Sequence, residues 1–123
     1  MSYQRYCVYE NDTINTAMLA IQQTKSRCAC VLSASQKVVG VISQGDIIRA
    51  LFDGANQYSS IKDFVNNSFI YLNEVDMERA YKLIKSKNLT LIPVIDKDFI
   101  LVSVITLTDL FDYLEGNYSI HGT

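Results

Sequence analysis

Two short stretches of this 123-residue chain place a hydroxyl three residues ahead of a carboxylate: Ser43-Gln44-Gly45-Asp46 and Thr106-Leu107-Thr108-Asp109. Each follows an apolar, partly β-branched run and precedes a helical pattern, so each falls where a buried strand ends and a helix begins. That position supports two kinds of chemistry. The hydroxyl and the carboxylate can close a capping box, each taking up an orphan backbone N–H, with the negative charge on the positive end of the helix dipole. Equally, a strand end meeting a helix N-terminus forms a cleft that favours anions. There a carboxylate can accept hydrogen bonds from the two neighbouring hydroxyls of a ribose while the Ser or Thr orients the same sugar. The two readings are compatible, since a cap uses one carboxylate oxygen and a sugar the other. Duplication does not choose between them, because a copied segment copies its caps with its sites.

Cations stand near the first stretch. Arg49 follows Asp46 by three residues, and Lys25 and Arg27 precede the strand at Cys28, whereas Asp112 occupies the position that Arg49 has in the other stretch. Residues 1–62 carry six Lys/Arg against four Asp/Glu, and residues 63–123 carry five against nine. The expectation is that the Ser43/Asp46 cleft is the better phosphate-bearing site.

Little else in the chain suggests chemistry. The single histidine, His121, lies near the C-terminus in a stretch expected to fray, and catalysis needs tightly held geometry. There is no GxxxxGK[ST] loop and no G-x-G-x-x-G after a strand. Asp96 and Asp98 fall in an expected turn, where turn chemistry accounts for them. Cys7, Cys28 and Cys30 have neither a bridging nor a zinc-binding spacing, and buried free thiols are expected. The sequence therefore reads as a non-enzyme that requires no cofactor and binds no metal.

The elements that position the two stretches come from an internal repeat. Sliding the chain by 63 residues superposes its halves without a gap. The helical stripe Ile14, Ala17, Met18, Ile21 falls on Met77, Ala80, Tyr81, Ile84, with Thr13 and Asp76 as N-cap types before them. Cys28-Ala29-Cys30-Val31-Leu32 falls on Leu91-Ile92-Pro93-Val94-Ile95, and Val38-Val39-Gly40-Val41-Ile42 falls on Leu101-Val102-Ser103-Val104-Ile105. Polar turns join each strand pair, and an apolar helix follows each. Each half reads strand, helix, strand, strand, helix, giving one α+β body with pseudo-twofold symmetry, because a half of about fifty residues buries too little surface to stand alone. The expected units are residues 7–53, a polar linker over 54–62, a second repeat over 63–115 and a flexible tail over 116–123.

A formal charge of −2 and a pI near 5.2 argue against broad contact with nucleic acid or anionic membrane. With 49% hydrophobic residues and no apolar run long enough to span a bilayer, a cytoplasmic protein is expected.

The order strand-helix-strand-strand-helix, ending in Val39-Gly40-Val41-Ile42-Ser43-Gln44-Gly45-Asp46-Ile47-Ile48-Arg49-Ala50-Leu51, resembles the CBS domain. Leu89 to Asp96 followed by Val104 to Leu110 resembles it a second time. The resemblance implies a tandem CBS pair, or Bateman module, whose clefts take AMP, ADP, ATP, S-adenosylmethionine or a related adenosine-type ligand. It puts Ser43 with Asp46 and Thr106 with Asp109 on ribose. It further implies that Cys28, Ala29 and Cys30, and Leu91, Ile92 and Pro93, flank the base, and that the module forms a homodimer through its helices. Gly45 to Leu51, with Ile61-Lys62-Asp63 and Asn67 to Tyr71, is also similar to CBS pairs that precede bacterial sugar nucleotidyltransferases, a resemblance that implies such a transferase or another regulated protein as partner. Two departures stand out: Cys30 replaces a usual proline kept at Pro93, and Ser103 replaces the glycine kept at Gly40, where a side chain is expected to crowd an approaching base. A structural or dimerising module with empty clefts, and a detached regulatory half of such a transferase, remain alternatives.

Overall fold

The computed structural model describes residues 2–116. A 3₁₀ turn over Ser2–Tyr6 leads into β1 (Cys7–Tyr9), α1 (Ile14–Thr24), β2 (Cys28–Leu32), β3 (Val38–Ser43) and α2 (Gln44–Phe52). A crossing segment with a 3₁₀ turn at Lys62–Phe64 then leads to α3 (Met77–Lys87), β4 (Leu91–Ile95), β5 (Leu101–Thr106) and α4 (Leu107–Leu114). The fold is α+β, with a three-stranded sheet in the order β1-β2-β3 and a two-stranded sheet of β4 and β5. The expected tail, with His121, lies outside the described residues apart from Gly116.

The repeat extends to individual hydrogen bonds. In the β2–β3 hairpin Cys28 pairs with Ser43 and Leu32 with Val38, with a register shift between Val31 and Leu32. In the β4–β5 hairpin Leu91 pairs with Thr106 and Ile95 with Leu101, with the same shift between Val94 and Ile95. Gln36 and Phe99 take left-handed φ angles of 69° and 64° at matching points of the two turns. Helices α1 and α3 start on Thr13 and Asp76, whose side chains accept the N–H of Thr16 and Arg79, and both end on left-handed residues, Lys25 and Asn88. The caps satisfy end groups that the helices themselves leave unpaired.

One expected strand is reduced to a single bridge. The counterpart of β1 in the second half pairs only at Leu72, whose N–H donates to the Pro93 carbonyl while its own carbonyl accepts the Ile95 N–H. In the first half Cys7 pairs with Cys30. The corresponding bond in the second half needs an N–H at residue 93, and proline has none. Cys30 has the N–H that Pro93 lacks, in keeping with the longer pairing of β1.

Ile14, Ala17 and Ile21 bury one face of α1, and Met77, Ala80 and Ile84 one face of α3. Tyr81, expected on that buried face, is 47% exposed. Each half has its own apolar cluster, and a third joins them: Cys30, Leu32 and Val38 meet Leu91, Ile95, Leu101 and Val104, with Tyr6 packed alongside. Each such aliphatic side chain contributes about 1.5–3 kcal/mol when fully buried, so the shared cluster gives neither half reason to fold apart. The hairpin tips also meet, with Lys37 opposite Ile100 and the Val38 N–H on the Phe99 carbonyl at 2.8 Å. The polar stretch after α2 returns along α1, where Ser59 and Gln57 carbonyls accept the first amides of the helix, and Ile61 is fully buried.

Candidate functional site

Where the halves meet, two clefts of nearly equal size open, ≈ 640 Å³ beside the α2 N-terminus and ≈ 630 Å³ beside the α4 N-terminus. Equal volume puts the difference between them in their linings. In both, the first amide of the helix is tied to the residue just before the hairpin: Gln44 N–H donates to the Arg27 carbonyl and Leu107 N–H to that of Thr90.

At the first cleft Ser43 caps α2 and the capping box is complete. Ser43 Oγ accepts the Asp46 N–H at 3.2 Å, and Asp46 Oδ2 accepts the Ser43 N–H at 2.9 Å. Asp46 Oδ1 is held by the Arg49 guanidinium. The Asp46 side chain is 17% exposed and that of Arg49 71%, so the ion pair lies at the cleft surface and contributes no more than about 1 kcal/mol. The capping reading is realised, and the second carboxylate oxygen is held by an exposed cation.

At the second cleft the same box is drawn inward. Asp109 Oδ2 accepts both the Thr106 N–H, at 2.7 Å, and the Thr106 hydroxyl, at 3.0 Å, while Thr106 Oγ1 accepts the Asp109 N–H. Thr106 and Asp109 are 4% and 5% exposed. Thr106 and Thr108 line this cleft, and Asp109 does not.

The residues expected to flank a base separate in the same way. Cys28 and Leu91, the first of each triplet, wall the first cleft together with Val41, Phe69 and Ile70. Ala29, Cys30, Ile92 and Pro93 belong to the packed interior and line neither cleft. Burial, reinforced by the charge of Asp46, pushes the Cys28 thiol up to about 12. Cys30 is held well above its ordinary range by its hydrogen bond with the Cys7 side chain and by burial. Both stay neutral thiols near neutral pH, so Cys28 presents an uncharged wall and a weak nucleophile.

The cations also fall differently from the sequence expectation. Arg49 lines the first cleft, Lys25 lines the second, and Arg27 lines both. Lys87, at the end of α3, completes the first cleft and Lys85 the second. Lys85 and Lys87 escaped the sequence reading because α3 lies in the acidic half and their approach depends on how the halves dock.

Ser103 does not meet an incoming ligand; it is 1% exposed and lines neither cleft. Its counterpart Gly40 shows what the position does. A Cβ there would lie 2.5 Å from the Asn66 carbonyl oxygen and 2.5 Å from the Val65 side chain. The missing side chain lets residues 65–66 lie against β3, where Val41 and Asn66 exchange backbone hydrogen bonds of 3.1 and 2.8 Å. That close approach brings Asn66, Ser68 and Phe69 to the far wall of the first cleft. The sequence reading placed none of these three at the site.

Two copies of this hairpin and capped helix, meeting at paired clefts, define a tandem repeat module. The CBS domain family model matches residues 1–53 and 61–116, and the chain belongs to that family. It is 27% identical over 103 residues to an uncharacterised protein of Rickettsia prowazekii, covering 84% of this chain and 32% of that protein. The chain thus spans about a third of the length of this curated relative. Among solved structures it resembles a putative acetoin utilization protein from Vibrio cholerae (TM-score 0.77, 18% identity, 91% of this chain and 83% of that one). It also resembles a CBS domain protein from Pyrobaculum aerophilum complexed with AMP (TM-score 0.69, 18% identity, 87% of each chain). Among the described residues no helix is long and apolar enough to cross a membrane.

Proposed function

We propose that this CBS pair is a non-catalytic regulatory module that binds an adenine nucleotide, AMP, ADP or ATP, in the cleft at Ser43 and Asp46. The observation that carries this reading is the partly exposed Asp46 carboxylate beside three cations, Arg27, Arg49 and Lys87, and an uncharged wall of Cys28, Phe69 and Leu91. A ribose hydroxyl donates to Asp46 Oδ1, Arg49 swings from the carboxylate to the phosphate, and the base enters against the apolar wall. Losing the exposed ion pair costs little, and the new contacts are charge-assisted. The AMP held by the Pyrobaculum neighbour supports the ligand class. Three cations favour a phosphate over S-adenosylmethionine, which carries a positive sulfonium.

The second cleft, with Asp109 drawn inward, takes an anion through Lys25, Arg27 and Lys85 and makes poorer contact with a ribose. Binding shifts how the halves or two copies pack. A homodimer forms through the helices, supported by exposed apolar faces on both: Ile48 and Phe52 on α2 are 54% and 87% exposed, and Phe111 and Leu114 on α4 are 55% and 72%. Phe52→Asp together with Leu114→Asp then yields monomers in sedimentation velocity, while an unchanged distribution counts against that interface.

A thermal-unfolding series with AMP, ADP, ATP and S-adenosylmethionine tests the ligand class. A bound nucleotide at about 100 times its dissociation constant adds about 2.7 kcal/mol of stability. No shift with any of the four favours a purely structural module whose Ser/Thr and Asp act only as caps.

A further inference from the structure

Arg27 belongs to both clefts. It sits at the junction of the halves, and its backbone is fixed there on both sides. Its carbonyl accepts the Gln44 N–H at 3.0 Å. Ser26 beside it is 7% exposed, and the Ser26 carbonyl accepts the Thr90 hydroxyl from the other half. The Arg27 backbone is left-handed, φ 65°, a conformation uncommon for a residue with a side chain. Arg27 is exposed, and no carboxylate among the described residues forms an ion pair with it.

The pseudo-twofold sharpens the point. The residue equivalent to Arg27 is Thr90, which also lines both clefts but carries no charge and spends its hydroxyl on Ser26. A symmetric module would have one such cation per cleft, and this chain has one for two. We propose that Arg27 is a shared phosphate-binding residue that couples the clefts negatively: an anion in one draws the guanidinium and weakens binding of an anion in the other. A planar, always-charged fork at the end of a flexible stem can reach a phosphate on either side and cannot serve both. This inference rests on the reading of the clefts as phosphate-bearing sites and adds how they regulate one another.

Backbone amide spectra of the ¹⁵N-labelled protein separate the clefts, because Gly45 lines the first and Thr108 the second. AMP and pyrophosphate are titrated in parallel, pyrophosphate carrying neither base nor ribose. The expected result in the wild type is that Gly45 saturates first and that its occupancy weakens the response at Thr108 by about fivefold or more. In Arg27→Gln the two amides titrate independently, and Arg27→Lys retains part of the exclusion. Independent titration in the wild type, undiminished exclusion in Arg27→Gln, or no pyrophosphate response at Thr108 overturns the coupling. If AMP moves neither amide while pyrophosphate still shows exclusion, the adenosine reading falls and the shared cation stands.

Discussion

The two clefts were built from one plan and differ at a few side chains. Both have a hydroxyl cap and a carboxylate three residues on, and both have nearly the same volume. In the first, Asp46 shares its charge between the Ser43 amide and an exposed arginine; in the second, Asp109 turns onto Thr106 and leaves the wall. The same three-residue spacing thus serves a cleft-lining carboxylate in one half and a buried one in the other. The difference lies in what surrounds the motif: Arg49 holds one oxygen of Asp46 at the cleft edge, and Asp112 stands at the matching place in the second half.

The largest effect separating the halves is expected at the glycine that lets the crossing segment at Val65–Asn66 approach. Gly40→Ala forces the backbone at Asn66 away, costing about 1–3 kcal/mol in urea unfolding, and abolishes AMP binding by moving the far wall. Ser103→Gly in the second half costs about 0.5–1 kcal/mol from chain entropy, to which the loss of the buried hydroxyl's bond to the Val104 carbonyl adds, and it leaves AMP binding intact. Equal losses at both positions would remove this difference between the halves.

The two carboxylates provide the next contrast. Asp109→Ala leaves a buried amide and hydroxyl without their acceptor and lowers stability by about 1–3 kcal/mol. Asp46→Ala removes a partly exposed cap and lowers it by about 1 kcal/mol. Arg49→Ala changes stability by no more than about 1 kcal/mol, and it weakens AMP binding together with the salt dependence of that binding.

The last contrast shows itself only at alkaline pH. The Cys28 thiol is raised in the folded chain, so the unfolded chain loses its proton first as pH rises. Its contribution to stability is full below about pH 9 and lost as pH climbs toward 12. Cys28→Ala therefore flattens the alkaline fall in stability measured by urea unfolding between those values. Cys30, also raised, adds to the fall in the same direction.

Much of the fold was legible because the repeat is gapless. Hairpin register, caps and capping boxes follow from residues that match at fixed spacing, and Ser43, Asp46 and Arg49 meet at one cleft as expected. What was not legible depends on docking between halves. Lys25 comes to the second cleft, Lys87 reaches the first from the acidic half, and the Asn66–Phe69 wall is assembled because Gly40 faces Val65 and Asn66. The missing strand at Leu72 was readable in principle from Pro93, whose absent N–H breaks the pairing that Cys30 allows. Nothing local to the Thr106–Asp109 motif marks its carboxylate as buried, since its sequence pattern equals that of Ser43–Asp46.

Calorimetric titration of AMP into the wild type, Asp46→Ala and Asp109→Ala tests the central claim most directly. The account predicts that Asp46→Ala weakens the tighter site by roughly ten- to a hundredfold, the loss of a charge-assisted bond of about 1.5–3 kcal/mol, while Asp109→Ala leaves that site within about twofold of the wild type. Tight binding retained in Asp46→Ala and lost in Asp109→Ala would contradict it.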